Sequence, residues 1–474
     1  MLIGRKREKE ELEKLYSSPN AEFVAVYGRR RVGKTFLIND TFEDRITFRH
    51  TGLSPSDLAE GKSGTREQLK HFYNSLLIQG MNKEHIPHDW LEAFFMLEKF
   101  LMAKGKEEKQ VVFLDELPWL DTPRSGFITA LEGFWNNWGC ARKNLLLIVC
   151  GSANSWIINR LINNHGGLYN RVTYEINLMP FTLHECREFL SERGAKLSDY
   201  DITQAYMIMG GIPYYLGYIS GGESLAQNID RMFFGKGAKL ADEFSRLFSS
   251  VFDNPDIAMD IVRILNRRSM GYERKDIMEK LKRIDNSNFT KAFNALEASN
   301  FIQRYVPFGM KKTQVHYKLI DPFCIFYLRF VENRNTLDED FWMMNVTSPS
   351  ISTWRGYAFE NVCFNHIAQI KAALGISGVQ TACSQWFGDG TQIDLLIERK
   401  DNVVNMCEIK FYGTEFSVDK SYYGTLNERQ AILSTHLKKK TVIHNTLITT
   451  YGLKYSTYSG VFPKTITLED LFRE

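Results

Sequence analysis

The chain has 474 residues, 44% hydrophobic and 24% charged, with a formal net charge of +3, which is the balance of an ordinary soluble globular protein of about three domains. That charge is too small to diagnose nucleic-acid binding and does not exclude it. The seven cysteines are scattered without a C-x-x-C pair, charged residues crowd the first fourteen positions, and no apolar run reaches membrane-spanning length. A cytoplasmic protein with free thiols and no membrane partner is therefore expected.

In chain order, Glu8, Leu12 and Leu15 mark a lead-in helix, and Phe23 to Val26 a buried strand. The strand runs into Gly28-x-x-x-x-Gly33-Lys34-Thr35 and then a helix beginning at Phe36. Such a loop wraps a phosphate with successive backbone N–H groups. Its span from Gly28 through Arg29, Arg30, Arg31, Val32 and Gly33 supplies the cradle. Lys34 reaches the β- and γ-phosphates, and Thr35 offers its hydroxyl to Mg²⁺. The pattern predicts ATP and Mg²⁺ as ligands.

A second strand is expected over 46–50, a polar surface loop over 54–64, and two helices between Arg66 and Lys104 divided near Pro87. His85 and His88 have a spacing a metal could use, but no partner set is evident, and they read as loop residues. Gln110 to Glu116 (QVVFLDE) is a buried strand ending in two carboxylates. Asp115 is expected to hold the Mg²⁺ water shell, and Glu116 to polarise an attacking water as general base. The aromatic group Phe134, Trp135 and Trp138 suggests helix packing. Asn144 to Ser152 is a third buried strand, after which Ser152 or Asn154 either senses the γ-phosphate or simply closes the strand. A further strand over 172–178 follows Arg171, which is either an arginine finger, in its own subunit or a neighbour's, or a surface residue. Alternating strands and helices indicate a doubly wound α/β sheet, and residues 182–250 read as helical with a break at Gly210-Gly211-Ile212-Pro213.

GRRRVGKT, FLDE, IVCGS, NRVTYEINLMPF and GGIPYYL together resemble the archaeal-type ATPases, relatives of the AAA+ and signal-transducing P-loop ATPases found in bacteria as well as archaea. The resemblance covers roughly the first half of the chain. Three apolar-faced helices between Ile257 and Ala298, followed by strands on either side of Gly309, form a winged-helix pattern also attached to this family. DNA binding and packing as a lid are the two roles open to it. The third helix carries only Lys291 as a base. The other bases lie on the preceding segment (Arg263, Arg267, Arg268, Arg274, Lys275, Lys282, Arg283) and at Lys311 and Lys312.

After an aromatic helix over 321–330 and an acidic, irregular linker over 337–350, residues 354–370 read as a helix bearing Glu360. Three strands over 379–387, 392–398 and 403–411 follow. Glu408 and Lys410 share one strand face, and an antiparallel neighbour would bring Asp394 to them. Such carboxylates bind Mg²⁺ or Mn²⁺, and the lysine stabilises developing charge. Glu360, Asp394, Glu408 and Lys410 in this order resemble the PD-(D/E)xK restriction-endonuclease-like nucleases, particularly the domain of unknown function that ends many archaeal-type ATPases. Ile393 stands where the literal motif has proline. Gln430, on a later helix, is a possible addition.

The expected fold is thus α/β: a P-loop ATPase core over 1–181, a helical lid over 182–253, a winged helix over 254–336 and a nuclease-like α/β domain over 351–474. The function implied is an ATPase coupled to a DNA-binding, metal-dependent nuclease-like domain. The alternative is a regulatory ATPase switch whose C-terminal domains bind a protein partner without cleaving.

Overall fold

The computed structural model describes residues 2–54, 64–105, 107–163, 166–252, 254–282, 286–332, 338–388 and 390–474. Most of the loop expected over 54–64 lies outside the described residues, as does Arg283. The chain divides into two compact units, 1–179 and 180–474.

The first unit is built on strands β1 (Glu22–Tyr27), β2 (Ile46–Thr51), β3 (Gln110–Asp115), β4 (Leu145–Gly151) and β5 (Tyr174–Asn177). Their order is β2-β3-β4-β1-β5, and every pairing is parallel. A parallel sheet carries crossover helices on its faces, so its strands are apolar on both sides. Accordingly β3 and β4 are buried at every position. The helices Gly64–Ile78 and Trp90–Ala103 cover the sheet with an aromatic cluster that includes Phe72, Trp90 and Phe94. Phe134 and Trp135 join this core, and Trp138 packs against it. One consequence of all-parallel pairing is that β1, β3 and β4 end on the same edge of the sheet. The segments following them must share one crevice.

The second unit begins with helices. Thr182 caps Leu183–Glu192 through a reciprocal capping box with Glu185. The helix Asp199–Met209 ends at Gly210, and Gly211, at φ +65°, lies so close to Phe181 that an added Cβ would sit 2.3 Å from its carbonyl oxygen. Glycine is required there on both counts. The helices Pro255–Leu265, Arg274–Leu281 and Ser287–Ala298 follow. With them is a small antiparallel sheet of β6 (Tyr272–Glu273), β7 (Ile302–Tyr305) and β8 (His316–Leu319), in the order β6-β8-β7.

The expectation of an irregular linker over 337–350 is corrected. Phe341–Asn345 is a helix, and Trp342 is buried among Phe326, Phe330 and Trp354. Both oxygens of buried Asp230 accept its first amides, from Trp342 at 2.7 Å and Met343 at 2.9 Å. The acidic composition concealed one large aromatic anchor and a distant cap. The single helix expected over 354–370 is two, Pro349–Asn365 and Ile367–Ala373, parted at His366.

The last sheet has the order β13-β12-β11-β10-β9, with β9 (Thr381–Gly388), β10 (Thr391–Arg399), β11 (Val403–Lys410), β12 (Val442–Thr449) and β13 (Lys464–Ile466). Pairings among β9, β10 and β11 are antiparallel, and those from β11 to β13 parallel. The parallel step from β11 to β12 needs a crossover, and the helix Lys420–Thr435 provides it, burying Leu426 and Leu433 in the same cluster as Trp386 and Leu447. Among the described residues no helix is long and apolar enough to cross a membrane. The seven cysteines are free, with Cys140 exposed and five of the others fully buried.

Candidate functional site

The loop after β1 turns at Gly28, whose φ is +151° and whose missing Cβ would lie 2.3 Å from the Leu178 carbonyl oxygen. Only glycine lets the loop pass this close to the strand exit beside it. Its amide donates to Asn154 Oδ1 at 2.9 Å. The loop closes at Gly33, the cap of the helix Lys34–Phe42. Within it Arg29 is buried, Arg31 takes a left-handed φ of 73°, and Val32 is buried; Arg30 is half-buried and Phe36 half exposed.

Lys34 is almost wholly buried, and its ammonium donates to the carbonyls of Gly28 (2.9 Å) and Arg29 (3.1 Å) and to Ser152 Oγ (3.1 Å). Three acceptors for three protons fix its position at the loop. The Thr35 hydroxyl donates to Asp115 Oδ2 at 2.8 Å. This hydroxyl and carboxylate are a hard-oxygen pair of the kind Mg²⁺ takes, so the residues present fit that ion. Glu116 leaves β3 in the left-handed region at φ 46°, and its carboxylate accepts from Ser152 Oγ (2.8 Å) and the Ser152 amide (3.2 Å). An uncommon backbone for a glutamate is retained where it turns the side chain toward a site. Ser152 therefore touches both Lys34 and Glu116, and Asn154 holds the loop itself.

Arg171 lies elsewhere. It precedes β5, in which Tyr174 pairs with Val24 and Asn177 with Tyr27. It is therefore level with the start of β1, about 20 Å along the strand from the phosphate loop. The reading of Arg171 as a finger for its own subunit's nucleotide is thus corrected, because strand direction places it at the opposite edge of the sheet. In the same unit, Glu92 joins His85 and His88, with ligand atoms all within 4.8 Å of one another. Glu92 lies in the first turn of the following helix, which begins at Trp90, and its carboxylate accepts from the His88 amide at 2.7 Å.

The second cluster lies in residues 351–429 and lines a cleft of about 530 Å³. Asp394 on β10 accepts the Ile409 amide of β11 at 3.0 Å, because the antiparallel register pairs Leu395 with Cys407. Glu408 Oε1 accepts from Lys410 Nζ at 2.6 Å, and Oε2 from Arg429 Nη1 at 2.7 Å. Tyr422 Oη also donates to Glu408. Burial works to raise the Glu408 pKa, but Lys410 and Arg429 outweigh it and hold the carboxyl below its ordinary value. Burial and the Glu408 charge raise Asp394, and burial with the Asp394 charge raises Glu360. Glu360 lines the same cleft and accepts from Gln385 Nε2 at 3.3 Å. Gln385 in turn accepts from buried Lys318 Nζ at 3.2 Å. Three carboxylates line this cleft and offer the oxygen donors that Mg²⁺ or Mn²⁺ takes, with both Glu408 oxygens held by Lys410, Tyr422 and Arg429.

Arg429, Tyr422, Arg355, Gln385 and Lys318 were not singled out in the sequence. Tyr422 and Arg429 are seven residues apart on one helix, hence on one face. What the sequence does not state is that this face meets β11. Gln430, one residue further round, accepts from Asn445 instead.

Several basic residues of the three-helix segment have intramolecular partners, while Arg267, Arg268, Lys282 and Lys291 are exposed. Arg263 bridges Glu332 and Asp260, Lys275 bridges Glu273, and the Arg274 guanidinium lies 5.5 Å from the ring centroids of Phe289 and Phe293. On Ser287–Ala298 the exposed side chains are Ser287, Asn288, Lys291 and Asn294.

Residues 2–219 match a family described as an ATPase domain predominantly from Archaea. Residues 327–421 match one described as archaeal and bacterial proteins of unknown function. An uncharacterized protein of Methanocaldococcus jannaschii is 23% identical over 437 residues, spanning 91% of this chain and 92% of its own. An uncharacterized ATP-binding protein of the same organism is 44% identical over 45 residues, which are 10% of this chain and 76% of that protein. A Walker-type ATPase of Pyrococcus abyssi superposes with a TM-score of 0.50 at 19% identity, covering 69% of this chain and 96% of its own. The loop, Asp115 and Glu116 gather at one sheet edge within residues 2–219, the part of the chain that is similar to the ATPase domain found predominantly in Archaea.

Proposed function

We propose that the chain binds and hydrolyses ATP with Mg²⁺ at the loop after β1, and that residues 351–474 are a divalent-metal-dependent nuclease-like domain acting on DNA. In the first site the loop amides and Lys34 hold the phosphates, and Thr35 and Asp115 hold Mg²⁺, which supplies charge neutralisation when bound. Glu116, oriented by Ser152, takes the proton of the attacking water.

The observation that carries the second half of the reading is the meeting of Glu360, Asp394, Glu408 and Lys410 around one cleft. Asp394, Glu408 and Glu360 would hold a Mg²⁺ or Mn²⁺ ion, which supplies Lewis acidity toward a phosphodiester oxygen. Lys410 is raised above its ordinary pKa, the pull of Glu408 and Asp394 exceeding the cost of burial, and so stays charged to stabilise the developing anion. The segment 254–336 is read as a winged helix, on the strength of three helices followed by an antiparallel β-hairpin joined by β6.

A second reading, an ATPase switch whose C-terminal domains bind a protein partner and do not cleave, is favoured by one observation. Arg263 and Lys275 are ion-paired, Arg274 lies on Phe289 and Phe293, and the helix Ser287–Ala298 carries Lys291 as its one cation for phosphates.

The deciding experiment is cleavage of single-stranded, double-stranded and branched DNA with Mg²⁺ or Mn²⁺, with and without ATP, beside Lys410→Ala and Lys34→Ala. Cleavage lost in Lys410→Ala supports the nuclease reading, and its loss in Lys34→Ala supports coupling to ATP. Intact ATP hydrolysis with no cleavage of any substrate supports the second reading.

A further inference from the structure

The cleft beside Asp394 and Glu408 contains more than acids. Arg355 lines it, and its Nε is buried without a hydrogen-bond partner among the described residues. Lys410 and Arg429 add two further cations, so three positive groups face three carboxylates, and a bound divalent ion would tip the cleft positive. Such a pocket suits a phosphate held beside a metal.

The rim is aromatic. β11 and β12 are parallel with Lys410 opposite Thr449, so Tyr412 and Tyr451 stand at matching positions in the exits of the two strands, two residues beyond the paired edge. The Thr450 hydroxyl donates to the Tyr412 carbonyl and fixes the two turns together. Both tyrosines are about half exposed, 49% and 50%. Tyr451 is the outer member of a stack that continues through Tyr200 to Phe411, with centroids 6.0 Å and 4.7 Å apart and planes within 22° and 12°. A base added to an exposed ring here would extend a stack the protein has already ordered. Bases are available for this only when unpaired. The cleft, at about 530 Å³, accommodates a nucleotide or two rather than a duplex.

We infer that this cleft takes single-stranded nucleic acid, with Arg355 on a backbone phosphate and Tyr412 and Tyr451 stacking on bases. The inference rests on the reading of Asp394, Glu408 and Lys410 as a phosphodiester site and names its substrate class.

The test is fluorescence anisotropy of the full chain with a labelled thymidine oligonucleotide of about 12 nucleotides. A duplex of equal length is measured in parallel, both in Ca²⁺ so that binding is separated from cleavage. The single strand is expected to bind more tightly. Tyr412→Ala and Tyr451→Ala should each weaken it by about 5- to 150-fold, while Tyr412→Phe and Tyr451→Phe bind as the unsubstituted protein does. Arg355→Ala should weaken binding and lower the salt slope by about one counterion. Thermal melting shows that each variant is folded. Duplex binding as tight as single-strand binding, or tyrosine-to-alanine variants that bind normally, overturns the inference. If that duplex binding is lost in Lys410→Ala, the nuclease-like reading stands without it. Binding of neither form overturns both.

Discussion

Thr35 and Asp115 are 80 residues apart in the chain and meet through a hydrogen bond of 2.8 Å. They join the helix after the phosphate loop to the end of β3, and on the proposed function they would hold Mg²⁺. Lys34 is fixed beside them by three oxygen acceptors. The Lys34→Ala protein is expected to lose at least about 100-fold in ATP hydrolysis, the scale of removing one preorganised charge from a transition state. Phosphate release measures this, and fluorescent-nucleotide titration should show weakened binding as well. Hydrolysis at the unsubstituted rate would refute the assignment of this loop.

On the proposed function, Glu116 and Ser152 would separate binding from chemistry. Glu116→Gln should still bind ATP, while kcat falls by about 100- to 10,000-fold with the general base gone. Ser152→Ala releases the Glu116 carboxylate without deleting it, so a smaller fall in kcat is expected, with partial recovery in Ser152→Thr. Equal losses in Ser152→Ala and Glu116→Gln would show that Ser152 does more than orient the base.

His366 gives the second unit an acid-sensitive joint. Its Nδ1–H donates to the Val362 carbonyl at 2.8 Å, and Nε2 accepts the Leu183 amide at 2.9 Å, an arrangement open only to the neutral ring. Burial lowers its pKa from 6.5 to about 4, against the opposing pull of the Val362 carbonyl. Between those values the unfolded chain takes up a proton that the folded chain refuses. Stability should therefore fall as pH drops from 6.5 toward 4, by about 1.4 kcal/mol per pH unit from this residue, and be insensitive to it above 6.5. Denaturant unfolding across that range, compared with His366→Gln, checks the slope. An unchanged slope in the variant would assign the acid sensitivity to other groups.

Asp230 and Trp342 hold down the segment that composition marked as a linker. Asp230→Ala leaves two helix-start amides without their carboxylate and should cost about 1–3 kcal/mol. Trp342→Ala empties a site lined by Phe326, Phe330 and Trp354, and should cost about 3–5 kcal/mol. Urea denaturation measures both. A true linker would tolerate either change within about 0.5 kcal/mol.

The candidate sites differ in how much of them the chain spells out. The phosphate loop is contiguous, and its glycines, lysine and threonine act through backbone conformation and short reach, so local sequence was sufficient to locate it. Asp115 and Glu116 were legible for a related reason: an apolar run of strand length that ends in carboxylates must deliver them to a sheet edge. Glu408 and Lys410 follow from the two-residue period of a strand.

What the tertiary structure decided was every relationship that depends on which elements become neighbours. Strand order and direction place Arg171 at the far edge of the first sheet, although its sequence position near the fifth strand suggested a finger. The crossover helix from β11 to β12 presents Tyr422 and Arg429 to Glu408 and sends Gln430 to Asn445. Lys318 reaches the acidic cleft through Gln385 only because β8 lies against the last sheet. Trp342 is an anchor only because Asp230, more than a hundred residues earlier, caps its helix. Local pattern reports backbone period and nearest-neighbour chemistry. Contacts between distant segments are selected by burial and hydrogen-bond satisfaction over the whole domain, and a single sequence carries no local mark of them.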